Sequence, residues 1–176
     1  SSDCRLMTKL LRDLTDYSMS DQLTKQRSDL CNLLRRAYLS CLPLTEGTNK
    51  TLTYTSRVSC AYMPLDSPKM MEALLNLIVN ALDAVSDNGS VQIILTKSNE
   101  QFVVSITDDG CGIAPKQLLT IFHPFTTTKP DGTGLGLPVA KRIIEGHGGH
   151  IRVISAPNQG ATFTFLLPCS FSSDRK

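Results

Sequence analysis

The segment from Pro68 to Asp87 is apolar almost all the way round, yet it keeps one line of polar side chains. Met70, Met71, Leu74, Leu75, Leu77, Ile78, Val79, Ala81, Leu82 and Val85 leave little of a helix for water. Such a helix has to be almost wholly buried. Asp66-Ser67-Pro68 opens it, with Ser67 as the cap and Pro68 in the first turn, and Asn88-Gly89 stops it. Glu72, Asn76, Asn80, Asp83 and Asp87 recur at steps of 4, 4, 3 and 4. At about 100° per residue they form one stripe roughly 80° wide. Either the stripe is the solvated edge of the helix, or Asn76 and Asn80 look into a polar cavity. A buried helix keeps amides on one line only if something polar faces them. In the second case an Asn oxygen suits Mg2+, a hard cation that takes oxygen ligands and few of them from protein.

The remaining pattern puts this helix in an α+β setting. Leu6, Leu10, Leu14 and Tyr17 mark an amphipathic helix over 3–17, and Ser18 to Asp21 breaks it, with Ser20 or Asp21 as the next cap. From Leu23 a second helix carries the seam Leu30, Leu34, Ala37 and Cys41, and Pro43 ends it. TLTYTSRVSCAYM reads as one or two short strands. VQIILT and FVVSIT read as a hairpin, and HIRVIS and ATFTFLLP as two more strands. A long loop covers 108–131 and a helix runs from about Leu135 to Gly146. The expected fold is an α/β sandwich, a mixed sheet with helices on one face, preceded by an N-terminal helical segment. The divisions are 1–43 helical, 44–170 the α+β domain and 171–176 a tail.

Charge and cysteine usage exclude several classes. Lys+Arg is 18 against Asp+Glu 16, which gives no electrostatic reason to expect nucleic acid or an anionic membrane as partner. No apolar run approaches the roughly 18–20 residues of a membrane span, and SSDCRLMTKLLRD lacks a signal peptide's apolar stretch. Cys4, Cys31, Cys41, Cys60, Cys111 and Cys169 contain no CxxC pair. They read as reduced thiols of a cytosolic protein, not as a zinc site or disulfide framework.

Three further strings carry chemistry. Asp108-Asp109-Gly110-Cys111-Gly112-Ile113 follows an apolar strand. It is an ordinary turn, or a place where backbone approaches a flat ligand while a carboxylate reads an exocyclic amine such as adenine N6. Gly132-Thr133-Gly134-Leu135-Gly136-Leu137 opens a helix and leaves N–H groups for an anion. It is neither a Walker A loop nor a dinucleotide fingerprint. In Ile121-Phe122-His123-Pro124-Phe125-Thr126-Thr127-Thr128-Lys129 the two rings can anchor a loop. Lys129 is either a solvated loop lysine or a group in reach of a terminal phosphate.

Taken in order, Asn-x-x-x-Asn, DDGCGI, IFHPFTTTK and GTGLGL resemble the nucleotide-binding domain of sensor histidine kinases, in the group that includes DNA gyrase, Hsp90 and MutL. The resemblance implies a Bergerat-type sandwich that binds ATP and Mg2+. Asn80 would be the magnesium ligand and Asn76 would line the phosphates. Asp108 would bond adenine N6, with Gly110, Gly112 and Ile113 shaping the base pocket. Phe122 and Phe125 match the F box. Thr127, Thr128, Lys129, Gly132 and Thr133 would belong to the lid, with Gly134, Leu135, Gly136 and Leu137 at its helical end. Thr162 would help hold adenine. Asn76, Asn80 and Lys129 are thereby the candidate catalytic residues.

Details refine the resemblance. Gyrase-like members carry a Glu where Asn76 stands, and an amide cannot take a proton from water, so slow hydrolysis is implied. Only TTTKPD separates Phe125 from Gly132, which resembles the short lid of the nitrogen-regulation type. Asp83 is also implied as a nucleotide-site residue, but many relatives carry Lys or Arg there, so phosphate neutralisation falls more to Lys129, Lys141 or Arg142. None of His123, His147 and His150 has the phosphoacceptor's context, and all three read as turn or packing residues. Residues 1–42 resemble the end of the dimerisation bundle and its connector. The acceptor helix, the sensor and any membrane segment would then lie upstream. The implied activity is transfer of the ATP γ-phosphoryl group to a histidine of that bundle in a homodimer, then to a response regulator receiver domain. The implied location is cytoplasmic, in a parent protein that is either soluble or membrane-anchored, with no membrane contact by this segment. The alternative is an ATP-binding regulatory module akin to the anti-sigma-factor kinases.

Overall fold

A computed structural model describes residues 22–129 and 132–169. The expected helix over 3–17, its Ser18–Asp21 break and the tail lie outside the described residues, as does Cys4. Strand β1 (Gln26–Asp29) leads into helix α1 (Leu30–Cys41) and a single 3-10 turn over Leu42–Thr45. Strands β2 (Thr51–Ser56) and β3 (Tyr62–Leu65) precede the long helix α2 (Ser67–Ala84). The hairpin β4 (Ser90–Ser98) and β5 (Gln101–Asp108) follows, then one short turn of helix, α3 (Pro115–Leu118). Helix α4 (Gly136–Gly146) and strands β6 (His150–Ser155) and β7 (Ala161–Pro168) complete the domain.

The main sheet has the order β2-β4-β5-β7-β6. β2 runs parallel to β4 and every other pair is antiparallel, so the sheet is mixed as expected. Alternation decides its two faces. Val91, Ile93 and Leu95 of β4, Phe102, Val104 and Ile106 of β5, and Phe163, Phe165 and Leu167 of β7 are buried and share one core with the helices. Asp108 closes the β5 row on that same buried face.

The helix expected from Leu23 begins only at Leu30. Residues 26–29 find a non-local partner instead and pair antiparallel with 62–65. Asp29 then caps α1, its Oδ1 accepting from Cys31 N at 3.0 Å and from Ala61 N at 2.9 Å. The seam Leu30, Leu34, Ala37 and Cys41 is fully buried in the core that also holds α2. Residues 26–41 therefore pack as part of the α+β body, across the division drawn at residue 43.

Both ends of α2 differ from the sequence expectation for physical reasons. Asp66 caps it, not Ser67, with Oδ1 accepting from Lys69 N at 3.1 Å and Oδ2 from Thr24 N at 2.9 Å. The helix stops at Ala84 and not near Asp87. Lys50 Nζ donates to Leu82 O at 2.9 Å and Cys111 N to Ala84 O at 3.2 Å, so terminal carbonyls are satisfied from outside the helix.

His147 joins the far ends of α2 and α4. Its Nε2 accepts from Asp66 N at 2.9 Å, which requires the proton on Nδ1, and Nδ1 donates to Ile143 O at 2.7 Å. The ring is buried and its pKa is lowered, chiefly by that burial. An unfolded histidine takes a proton near pH 6.5, whereas the folded site resists it. Stability contributed by the neutral ring is complete above about pH 6.5 and is lost as the pH falls toward the lower folded value, at no more than about 1.4 kcal/mol per pH unit. Denaturant melts at pH 7.5 and 5.5 should show this loss, and His147→Gln should flatten the difference.

Candidate functional site: the polar stripe of helix α2

Three successive turns of α2 meet three different pieces of chain. At its C-terminal end, a Cβ on Gly110 would lie 2.4 Å from Ala84 O, so the glycine loop after β5 is pressed against the helix. One turn earlier, Asn80 Oδ1 accepts from Lys129 Nζ at 3.1 Å. One turn earlier again, Asn76 Oδ1 would be 3.3 Å from a Cβ on Gly136, the first residue of α4. At 1.5 Å rise per residue, 84 to 76 spans about 12 Å. Asn76 and Asn80 are half-buried and Asp83 is exposed. The amide stripe thus faces other segments of the chain and is not merely a wetted edge.

Asp108 ends β5 just before the loop that meets the C-terminal end of α2. It is 4% exposed, and Oδ1 accepts from Gly110 N at 3.0 Å and from Ala161 N at 3.2 Å. Burial raises its pKa, and the two backbone donors act in the opposite direction. With Oδ1 committed to backbone, Oδ2 is the oxygen left to recognise a ligand donor. Gly112 has φ +68° and a Cβ there would lie 1.9 Å from Ala156 O. Gly110 and Gly112 thus let protein backbone come close, and so fix the loop that carries Asp108. Ile113 is half-buried against the core, and its N–H donates to Ser155 Oγ at 2.9 Å, which in turn donates to Gly160 O at 2.6 Å.

Thr162 is not beside Asp108. It pairs with Thr107 across the strands, with the two hydroxyls 3.1 Å apart, on the face opposite the helices. The residue in register with Asp108 is Ala161. Strand alternation forces this, since Ala161 shares the parity of Phe163, Phe165 and Leu167.

The two phenylalanines part company. Phe122 is half-buried, edge-on to Phe163 with ring centroids 6.5 Å apart, and Lys141 Nζ lies 5.4 Å from its centroid. Phe125 is 61% exposed with φ +65°. It holds the lid by its backbone, donating N–H to Gly134 O at 3.0 Å, not by burying a ring. Gly134, at φ +67°, would place a Cβ 2.5 Å from the Phe125 carbonyl carbon. Between these residues, Thr127 Oγ1 accepts from Lys129 N at 3.0 Å, Gly132 N donates to Lys129 O at 3.2 Å, and Thr128 is exposed. Thr133 Oγ1 accepts from Leu135 N at 3.4 Å. Leu135 is fully buried and Leu137 half-buried against the core, so their side chains serve the scaffold. No side chain caps the first turn of α4, which suits it to an anion.

One supporting residue escaped sequence reading. Asp109 ties the glycine loop to β4, with Oδ1 accepting from Ser90 N at 2.8 Å and Oδ2 from Ser90 Oγ at 2.6 Å. These bonds lower its pKa. Its signal was the second Asp of the doublet, but the partner lies 19 residues away and has no local mark.

Among the described residues no three His, Cys, Asp or Glu side chains gather at a point able to hold a metal. The oxygens that could hold a cation are those of Asn80 and Asp83. The Lys129 ammonium already sits as a stand-in between Asn80 Oδ1 and Asp83 Oδ2, the latter at 2.9 Å. One neutral oxygen and one carboxylate suit Mg2+, which takes one or two carboxylates and completes its shell from phosphates and water.

Comparison with known proteins identifies the family. Residues 65–170 match the family described as histidine kinase-, DNA gyrase B-, and HSP90-like ATPase. The chain belongs to that family. It is similar to the sensor histidine kinase ZraS of Salmonella typhimurium, with 34% identity over 92% of this chain and 35% of that protein. It is also similar to the catalytic domain of the histidine kinase ThkA, solved in a nucleotide-free form, with TM-score 0.77, 29% identity and coverage of 84% of this chain and 97% of that one. A third likeness is full-length ShkA in complex with AMPPNP, with TM-score 0.83, 25% identity and coverage of 92% of this chain and 35% of that one. The chain thus spans about a third of the length of the curated relative. Among the described residues no helix is long and apolar enough to cross a membrane.

Proposed function

We propose that this chain is the catalytic, ATP-binding part of a two-component sensor histidine kinase of the short-lid type. The observation that carries the reading is the order of contacts along α2. The Asp108 loop meets Ala84, the lid lysine meets Asn80, and the N-terminus of α4 meets Asn76. A nucleoside triphosphate laid along the helix would have its base at the first, its phosphates between the second and third, and Asn80 at the second would hold its metal. Asp108 Oδ2 accepts from the adenine amine. The free N–H groups at the start of α4 and the Lys129 ammonium hold phosphate oxygens. Asn80 Oδ1 would hold Mg2+, which supplies charge neutralisation at the phosphates. Asn76 offers no base for water, so turnover without a phosphoryl acceptor is slow.

The acceptor is a histidine on a dimerisation helix elsewhere in the parent homodimer, and a receiver domain takes the phosphoryl group from there. None of the three histidines competes for that role. His147 is buried with both ring nitrogens engaged, and His123 and His150 lie in a lid turn and at a strand start. The domain works in the cytoplasm. The test mixes the chain with γ-labelled ATP and a separate protein carrying an acceptor helix. Label that survives base and is lost in acid is expected. Base-labile label on serine, or no label on the acceptor, contradicts the reading and favours a regulatory binding module.

A further inference from the structure

Lys129 occupies the oxygen that the metal needs. Its Nζ reaches from the lid to α2 and donates to Asn80 Oδ1 at 3.1 Å and to Asp83 Oδ2 at 2.9 Å. The two acceptors are three residues apart and lie on one face of the helix. An ammonium is a compact point charge with three donors. Mg2+ binds oxygen at roughly 2.0–2.1 Å. A metal on Asn80 Oδ1 and an ammonium on the same atom would be two cations in near contact, so occupancy is exclusive. The ammonium also offsets the Asp83 carboxylate, a charge beside Asn80 that would draw in a free cation.

The pair is built to be exchanged. Lys129 and Asp83 side chains are 41% and 52% exposed, so the ion pair is a weak one. The Lys129 backbone is held separately, its N–H by Thr127 Oγ1 and its carbonyl by Gly132 N. The side chain can therefore swing with its backbone in place. Phosphate oxygens arriving in the cleft offer the ammonium a partner at least as good as Asp83. A free hydrated cation offers it none, and Mg2+ sheds water reluctantly.

Resting on the nucleotide reading above, we propose that Lys129 is a specificity-determining residue: it keeps free divalent cations off Asn80 and makes metal entry conditional on a polyphosphate that draws the ammonium away. Metal and nucleotide then bind as one unit.

The test uses Mn2+ alone as the probe, without nucleotide. Paramagnetic broadening of the Asn80 side-chain amide signal is followed in isotope-labelled protein. Lys129→Met is expected to bind Mn2+ roughly fivefold more tightly than the parent chain, and Lys129→Arg to stay near the parent. Lys129→Met combined with Asp83→Asn is expected to lose the gain. Equal Mn2+ affinity in the parent and Lys129→Met overturns the proposal, and so does a gain that persists without the Asp83 carboxylate. An intact amide spectrum verifies folding of each variant. Titration of the parent chain with AMPPNP is a separate measurement. Its failure would count against the nucleotide reading, whereas equal Mn2+ affinities with AMPPNP binding intact would sink only the exchange.

Discussion

Asp108→Asn is expected to weaken nucleotide binding by about 100-fold while leaving the melting temperature unchanged or higher. The substitution is nearly isosteric. Its carbonyl oxygen can still accept from Gly110 N and Ala161 N, so the loop keeps both backbone bonds. What changes is the second atom, where an amide N–H2 replaces Oδ2. A donor then faces the adenine amine, and two donors without an acceptor between them cost roughly the 1.5–3 kcal/mol of a hydrogen bond to a charged group. The folded protein also sheds a buried charge whose pKa burial raises. Calorimetric titration with AMPPNP and a thermal melt separate the two effects. Unchanged affinity would remove Asp108 from the site.

Gly160→Ala and Gly112→Ala are expected to act the opposite way, destroying the scaffold before the ligand is met. Both residues have φ +68°, and a Cβ would lie 1.9 Å from Asp108 O at Gly160 and from Ala156 O at Gly112. The left-handed conformation and the backbone collision act together, and neither colliding oxygen is the end of a flexible side chain. A loss of about 4 kcal/mol or more is expected for each, enough to unfold many domains. Gly148→Ala serves as the control. It has φ +77°, but its nearest neighbour is Pro168 Cγ at 3.6 Å. That variant should lose only about 1 kcal/mol in denaturant melts. Equal losses at all three positions would mean that φ alone matters and that the packing of the glycine loop does not.

These two sets of variants also mark what was legible before the structure. The amide stripe of α2 stood out because Asn76 and Asn80 interrupt an apolar surface at helical period, a local signal. The same holds for the β4–β5 hairpin, whose turn falls at Asn99 with φ +54°, and for the glycine opening of α4. β1 was hidden because its strand character comes from pairing with 62–65, more than thirty residues on, and not from its own sequence. Thr162 was misplaced by one residue although the alternation Ala161, Phe163, Phe165, Leu167 already assigns the core-facing parity. Phe125 read as a buried anchor because aromatic residues usually are. Its positive φ, set by the closure onto Gly134, turns the ring outward. The Lys129–Asp83 pair joins residues 46 apart, and nothing local announces it.

The most direct test is a crystal structure of the chain grown with AMPPNP and Mg2+. The adenine amine should lie within hydrogen-bond distance of Asp108 Oδ2, the metal on Asn80 Oδ1, and the Lys129 ammonium on a phosphate oxygen away from Asn80. A base seated away from Asp108, or a metal held without Asn80, would contradict the reading of α2 as the floor of a nucleotide cleft.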